Sequence, residues 1–505
     1  MEIVTREGKL RGVSGEGFEV FRGIPFAQPP IGPLRFRPPQ PLEAWAGVRD
    51  AGSFGPASLQ AQRPMAALVV QGITEESEDC LYLNVWTPSA DGEPRPVMVW
   101  LHGGAFVFGA GSQTNCDGAA LAVRENVVVV TVNYRLGILG FLHGRSVCGD
   151  QLDSTGNEGL LDQVAALEWV KENIAAFGGD AGNVTVFGQS AGAISISMLL
   201  TMPRAKGLFH KAILQSGAPN GRNSLDRAAN VTERVLHELG VKPENAGKLR
   251  ELSAERLMEA QNKATPRSSG VSYRPVLDSS IFPEEPFAAI ARGSGQGVPL
   301  LVGTTRDEMR FFGWMDPNIT EMDQGGLLSR CEAAIMGGQD GVSNGERAID
   351  VYRRAREARE DSTTVQDVWF AISTDQTFRA PAMRVAESQA RHTPDVFAYL
   401  FTYESPAAHG ALRACHALDV PFVFGTFGHE EIRDFAGDGP EAARLSGQMM
   451  AAWGAFARSG NPSHDGLPEW PRYEPMNRAT MELGVESRVL FAPMEPERAF
   501  WETVR

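Results

Sequence analysis

The stretch Val184-Thr185-Val186-Phe187-Gly188-Gln189-Ser190-Ala191-Gly192 constrains this chain more than any other, because it runs a β-branched, apolar segment straight into a serine bracketed by glycines. A buried strand that must turn at once into a helix leaves its turn residue in a strained conformation, and flanking glycines let strand and helix approach closely. The hydroxyl of Ser190 then stands clear of the sheet. The backbone N–H groups that open the next helix, beginning with that of Ala191, point to where an oxyanion would form. Residues Ala193 to Leu200 are small and apolar, as suits a helix packed beneath a sheet. A GxSxG pentapeptide also arises by chance in a glycine-rich chain, so its surroundings decide its meaning.

Those surroundings alternate short apolar runs with helical periodicity from about residue 96 to 216, the signature of a parallel sheet covered by helices. Val97–Leu101, Val127–Val132 and Val184–Phe187 predict strands that are apolar on both faces, as central parallel strands are. Asp162–Ile174 predicts a helix with apolar residues at spacings of three and four. Ala212–Ser216 and Val298–Gly303 predict two further strands, and Met1–Leu10 an opening strand. The fold class is therefore α/β, a mostly parallel twisted sheet flanked by helices. Residues 222–295 and 315–395 are charged, Ala-rich and helical in pattern, and predict insertions that cap the sheet. Without repeats or a long low-complexity linker, residues 1–505 are expected to form one domain.

Composition narrows the partners. A net charge of −15 disfavours nucleic acid and anionic membranes, which need clustered Lys and Arg. No run approaches the ~18 apolar residues of a membrane span. The first ten residues hold no apolar signal core, so a cytoplasmic location is expected. The five cysteines show no CxxC pair, which predicts neither a disulfide framework nor a zinc site and fits a reducing compartment. The nine histidines include no HExxH, so no metal or cofactor is expected. A monomer or weak homodimer is the expected assembly.

A serine nucleophile needs a base to take its proton and an acid to orient that base. Gly303-Thr304-Thr305-Arg306-Asp307-Glu308-Met309 offers two adjacent carboxylates just past a predicted strand end. Arg413-Ala414-Cys415-His416 places a histidine in a loop after the strand Val396–Phe401. Upstream, Leu101-His102-Gly103-Gly104-Ala105-Phe106 follows a buried strand, where glycines let backbone N–H groups turn toward a substrate oxygen.

Across its length the chain resembles the type B carboxylesterases, the α/β-hydrolases that include bacterial para-nitrobenzyl esterases, cholinesterases and the non-catalytic neuroligins. The matching motifs are Phe21–Pro30, Glu78–Trp86, Asn133–Gly137, Gly156–Gln163 and Trp453–Pro462, together with the elbow. The resemblance implies Ser190 as nucleophile, Glu308 as acid and His416 as base, with Gly104, Ala105 and Ala191 supplying the oxyanion hole. Ser216 matches the serine that supports the acid, and reads equally as a strand-end turn. Two structural ion pairs are implied, Arg35 with Glu78 and Arg135 with Asp162.

The sequence also departs from the family. Gln189 replaces the usual glutamate before the nucleophile, which removes a negative charge and weakens any preference for cationic substrates. Met309 replaces a glycine and Asp419 a glutamate. No cysteine precedes Cys80, so the disulfide of animal members cannot form, and Ala57–Glu76 contains no aromatic residue to seat a choline. The implied activity is serine carboxylester hydrolysis of small, neutral, aromatic or short-to-medium-chain esters. The rivals are a neuroligin-like binding protein and an amide or carbamate hydrolase with the same triad. Phe106, Phe108 and Phe312 are candidates for lining an apolar pocket, with core packing as the alternative.

Overall fold

The computed structural model describes residues 1–60, 71–88, 93–265, 272–314 and 316–504. Its framework is an 11-stranded sheet. In chain order the strands are β1 (Val13–Ser14), β2 (Glu19–Pro25), β3 (Tyr82–Thr87), β4 (Arg95–Leu101), β5 (Val128–Val132), β6 (Gly179–Gln189), β7 (Lys211–Gln215), β8 (Leu300–Thr305), β9 (Val396–Phe401), β10 (Ala479–Leu483) and β11 (Arg488–Phe491). Across the sheet they lie in the order β11-β10-β9-β8-β7-β6-β4-β5-β3-β2-β1. The strands from β10 to β5 run parallel, and the edges add antiparallel partners.

The central strands are buried along both faces, which explains their mostly apolar sequences. Alternate side chains serve two different cores. Val97, Val99, Leu101, Val184 and Val186 pack with Leu160, Val164, Leu167 and Val170 of α1 (Glu158–Asn173) and with Ile196 of α2 (Ala191–Leu199). Met98, Trp100, Phe187 and Ile213 face the other way, onto Met449, Trp453 and Phe456 of the long helix Pro440–Ser459.

The first insertion contains α3 (Leu225–Leu239) and α4 (Ala254–Ala264). The second contains α5 (Gln324–Ala334), α6 (Asn344–Ala358), α7 (Val365–Thr374) and α8 (Ala380–Gln389). A π-helical turn, Asp375–Arg379, joins α7 to α8 without a break. This second insertion has a small core of its own, where Leu327, Cys331, Tyr352 and Val368 meet Phe500 and Trp501 of the last helix. Among the described residues no helix is long and apolar enough to cross a membrane.

Two expectations are revised in detail. Met1–Leu10 is not one strand: Glu2–Val4 and Lys9–Arg11 pair antiparallel in a separate 3-stranded sheet, because the Thr5 hydroxyl and amide bond Gly8 and turn the chain. The helix expected from Asp162 begins at Glu158, whose buried carboxylate accepts the N–H groups of Thr155 and Gly156. The implied ion pairs are formed, Arg35 to Glu78 at 2.5 Å and the buried Arg135 to Asp162 at 2.7 Å.

Candidate active site

The site gathers at the carboxyl ends of β4, β6, β8 and β9, the edge at which open parallel sheets present their loops. At the end of β6 the chain turns sharply, and Ser190 holds φ 55° and ψ −120°. A non-glycine residue adopts such a backbone only where its surroundings impose it. Here the Ser190 N–H donates to Gln215 O at 2.8 Å, and Ser190 O accepts from Ile194 of α2 at 2.8 Å. The flanking glycines are required by space. A Cβ at Gly192 would stand 1.8 Å from the carbonyl oxygen of Leu101, and one at Gly188 would stand 2.6 Å from it.

The loop after β4 carries a run of left-handed backbone, with φ 108° at Gly104, 54° at Ala105 and 61° at Phe106. That run turns peptide N–H groups out of the usual pattern. Among the described residues no acceptor takes the N–H groups of Gly104, Ala105 or Ala191. Three free donors beside a strained serine can stabilise a developing oxyanion. Beneath the loop, His102 stacks on Tyr134 at 4.3 Å, and the Tyr134 hydroxyl donates to His102 O at 2.8 Å. Burial pushes the His102 imidazole down to about 4 and keeps it neutral.

Glu308 follows β8 and is fully buried. One carboxylate oxygen accepts the Thr305 N–H at 2.9 Å, and the other lies 2.5 Å from His416 Nδ1. With Nδ1–H donating to Glu308, Nε2 is the acceptor nitrogen of the ring. Nε2 faces the elbow, where the Gln189 amide nitrogen stands 3.1 Å away. Among the described residues Ser190 Oγ has no hydrogen-bond partner. Among the described residues the buried Ser216 hydroxyl has no hydrogen-bond partner, so it does not bond Glu308.

Three phenylalanine rings surround the imidazole, Phe378 at 4.7 Å, Phe312 at 5.0 Å and Phe311 at 6.2 Å. Phe312 is partly exposed and stacks on Phe378. Phe108 is half-buried, and Phe106 sits in the core against Phe141 at 4.9 Å. Phe378 was not anticipated from sequence. It lies in the π-helical turn of the cap, and a lone phenylalanine in a helical pattern carries no signal of the loop it will touch.

Beside Glu308 and His416 lies a second buried carboxyl. Asp419 accepts from Gln215 Nε2 and from the Tyr399 hydroxyl, both at 2.9 Å, while Trp453 Nε1 donates to Gln215 Oε1 at 3.1 Å. Burial pushes the Asp419 carboxyl up to about 6 against the hydrogen bond from Gln215, and the charge of Glu308 raises it further. All five cysteines are free and buried, and among the described residues no cluster of His, Cys, Asp or Glu is disposed to hold a metal. Of the loop 57–76, residues 61–70 lie outside the described residues.

The geometry agrees with what the chain is similar to. Residues 1–501 match the model of the carboxylesterase family. The chain belongs to that family. It is 39% identical over 500 residues to the para-nitrobenzyl esterase of Bacillus subtilis strain 168, covering 98% of this chain and 97% of that one. It is 35% identical over 494 residues to a phenmedipham hydrolase of Pseudarthrobacter oxydans, covering 95% and 94%. Among solved structures, a carboxylesterase of Geobacillus stearothermophilus superposes with a TM-score of 0.89 at 42% identity over 99% of each chain. The fold is accordingly the α/β-hydrolase fold, and the chain is a carboxylester hydrolase.

Proposed function

We propose that this chain hydrolyses neutral esters, aromatic or of short to medium chain length, through an acyl-enzyme on Ser190. In this reading Ser190 Oγ attacks the carbonyl carbon as His416 Nε2 takes its proton, and the negative oxygen settles on the N–H groups of Gly104, Ala105 and Ala191. Glu308 holds the ring in the tautomer that can accept that proton and steadies the imidazolium that results. Collapse of the tetrahedral intermediate breaks the bond to the alcohol, which leaves with the proton from His416. Water then enters on the same base, and the acid is released. The observation that carries the proposal is the buried Glu308–His416 pair at 2.5 Å, set against the elbow with free N–H donors opposite.

The neutral Gln189 beside the base and the rings of Phe312 and Phe378 around it support uncharged, apolar substrates. Phe108 is proposed to contribute to the same wall. Residues 1–505 are taken as one domain carrying two cap insertions. Five free, buried thiols support a reducing, cytoplasmic setting, and a monomer or weak homodimer is the proposed assembly.

The test is turnover of a graded series of nitrophenyl esters. Ser190→Ala is expected to lose about 10⁴-fold or more in kcat while keeping its folded circular-dichroism spectrum. Turnover retained by that variant overturns the assignment.

A further inference from the structure

The helix α7 and the π-helical turn that continues it lay one face along both loops of the site. Asp367, Phe370, Thr374 and Phe378 recur at spacings of three and four, so they share that face. The Asp367 carboxylate is 7% exposed and bonds the guanidinium of Arg310, two residues beyond Glu308. It also stands 3.7 Å from the guanidinium of Arg413, three residues before His416. One turn on, the Phe370 ring carries Arg310 at 5.1 Å. Thr374 Oγ1 then accepts the N–H of Met309 at 3.1 Å, and Phe378 closes on the imidazole at 4.7 Å.

The two loops are also joined directly. The Asp307 N–H donates to Ala414 O at 2.9 Å, and Arg310 Nη1 donates to Ala411 O at 3.1 Å. The first of these joins backbone to backbone, and the second ties the Arg310 guanidinium to the base loop without engaging that of Arg413. Two guanidinium groups, one from each loop, repel unless an anion lies between them. Asp307 of the acid loop stands 3.8 Å from Arg310, but among the described residues the only carboxylate that contacts both guanidinium groups is Asp367, and it comes from the cap rather than from either loop.

We propose that Asp367 is a positioning residue, a single cap carboxylate that sets the acid loop against the base loop through Arg310 and Arg413. The cap is then a working part of the site. Any displacement of α7 is passed to both sides of the Glu308–His416 bond at once. The inference rests on the triad reading above, so its test must fail separately from that reading.

The experiment compares wild type, Asp367→Asn and Asp367→Glu, with active sites counted by the nitrophenol burst of a slowly deacylating nitrophenyl ester. A purely structural role lowers melting temperature and the number of titrated sites but leaves kcat per site unchanged. The positioning role lowers kcat per titrated site about 10- to 100-fold in Asp367→Asn with little change in KM, as a small misplacement of reacting groups does. Asp367→Glu, which keeps the charge, is expected to recover most of that loss. Wild-type kcat per site in Asp367→Asn, or a glutamate variant no better than the asparagine one, overturns the proposal. Should Asp367→Asn fail to fold, Arg413→Gln removes one of the two contacts at a partly exposed side chain; a fall in kcat per site supports the proposal and an unchanged value overturns it. Failure of the triad reading shows differently, as a burst that persists in Ser190→Ala.

Discussion

Replacing Gln189 by glutamate puts a carboxylate where a neutral amide now stands 3.1 Å from His416 Nε2. At that separation and an effective dielectric of ~20, the attraction between a carboxylate and an imidazolium is about 5 kcal/mol before other costs. Two costs reduce it. The position is 3% exposed, so the new charge is desolvated, and Glu308 already holds the opposite ring nitrogen, so two carboxylates must share one cation. The net effect expected is that the base keeps its proton to higher pH, because an opposite charge in contact favours the charged form. The imidazolium cannot accept the serine proton, so activity sets in only at higher pH. The assay is kcat/KM for a neutral nitrophenyl ester across the pH range, whose acid limb reports the free enzyme's base. In Gln189→Glu that limb moves upward while the plateau at high pH stays near wild type. A limb that does not move, or moves down, refutes the placement of Gln189 against the catalytic nitrogen.

Other expectations follow from the same geometry. Gly104→Ala would bring a Cβ to 1.9 Å from Phe108 O at a φ of 108°, so the loop must shift and carry the proposed oxyanion donor with it. About a 10²- to 10³-fold fall in kcat is expected, and unchanged kcat speaks against the donor role. Asp419, with its carboxyl raised from 3.8 to about 6, holds its proton more tightly folded than unfolded. Its contribution to stability is therefore present below pH 3.8 and lost as pH rises to about 6, a change of about 3 kcal/mol. The melting temperature of Asp419→Asn relative to wild type should accordingly climb between those values and level off above; a difference independent of pH contradicts the burial account.

Much of this architecture is legible in the sequence because its physics is local. Val97–Leu101 and Val128–Val132 are buried on both faces, so every position but Thr131 is apolar and the strands need no periodicity to be found. The elbow glycines are required by contacts with Leu101 that any close strand–helix turn makes. Tyr82–Thr87 and Ala479–Leu483 were not singled out as strands, since they carry polar residues whose partners lie far along the chain, as Asn84 does with Thr131. The loop serine at 216 matched a family pattern, yet among the described residues its buried hydroxyl has no hydrogen-bond partner. Least legible was the cap. The contacts of Asp367 and Phe378 are with residues of two loops far away in the chain, and no local spacing of charged and apolar residues records which loops a helix face will meet.

The most direct test of the central claim is a crystal structure of the enzyme inactivated by a nitrophenyl phosphonate. The account predicts phosphorus bonded to Ser190 Oγ, with its negative oxygen about 2.7–3.1 Å from the N–H groups of Gly104, Ala105 and Ala191 and His416 Nε2 turned to Ser190. An adduct on any other residue, or a phosphoryl oxygen pointing away from those three donors, would contradict it.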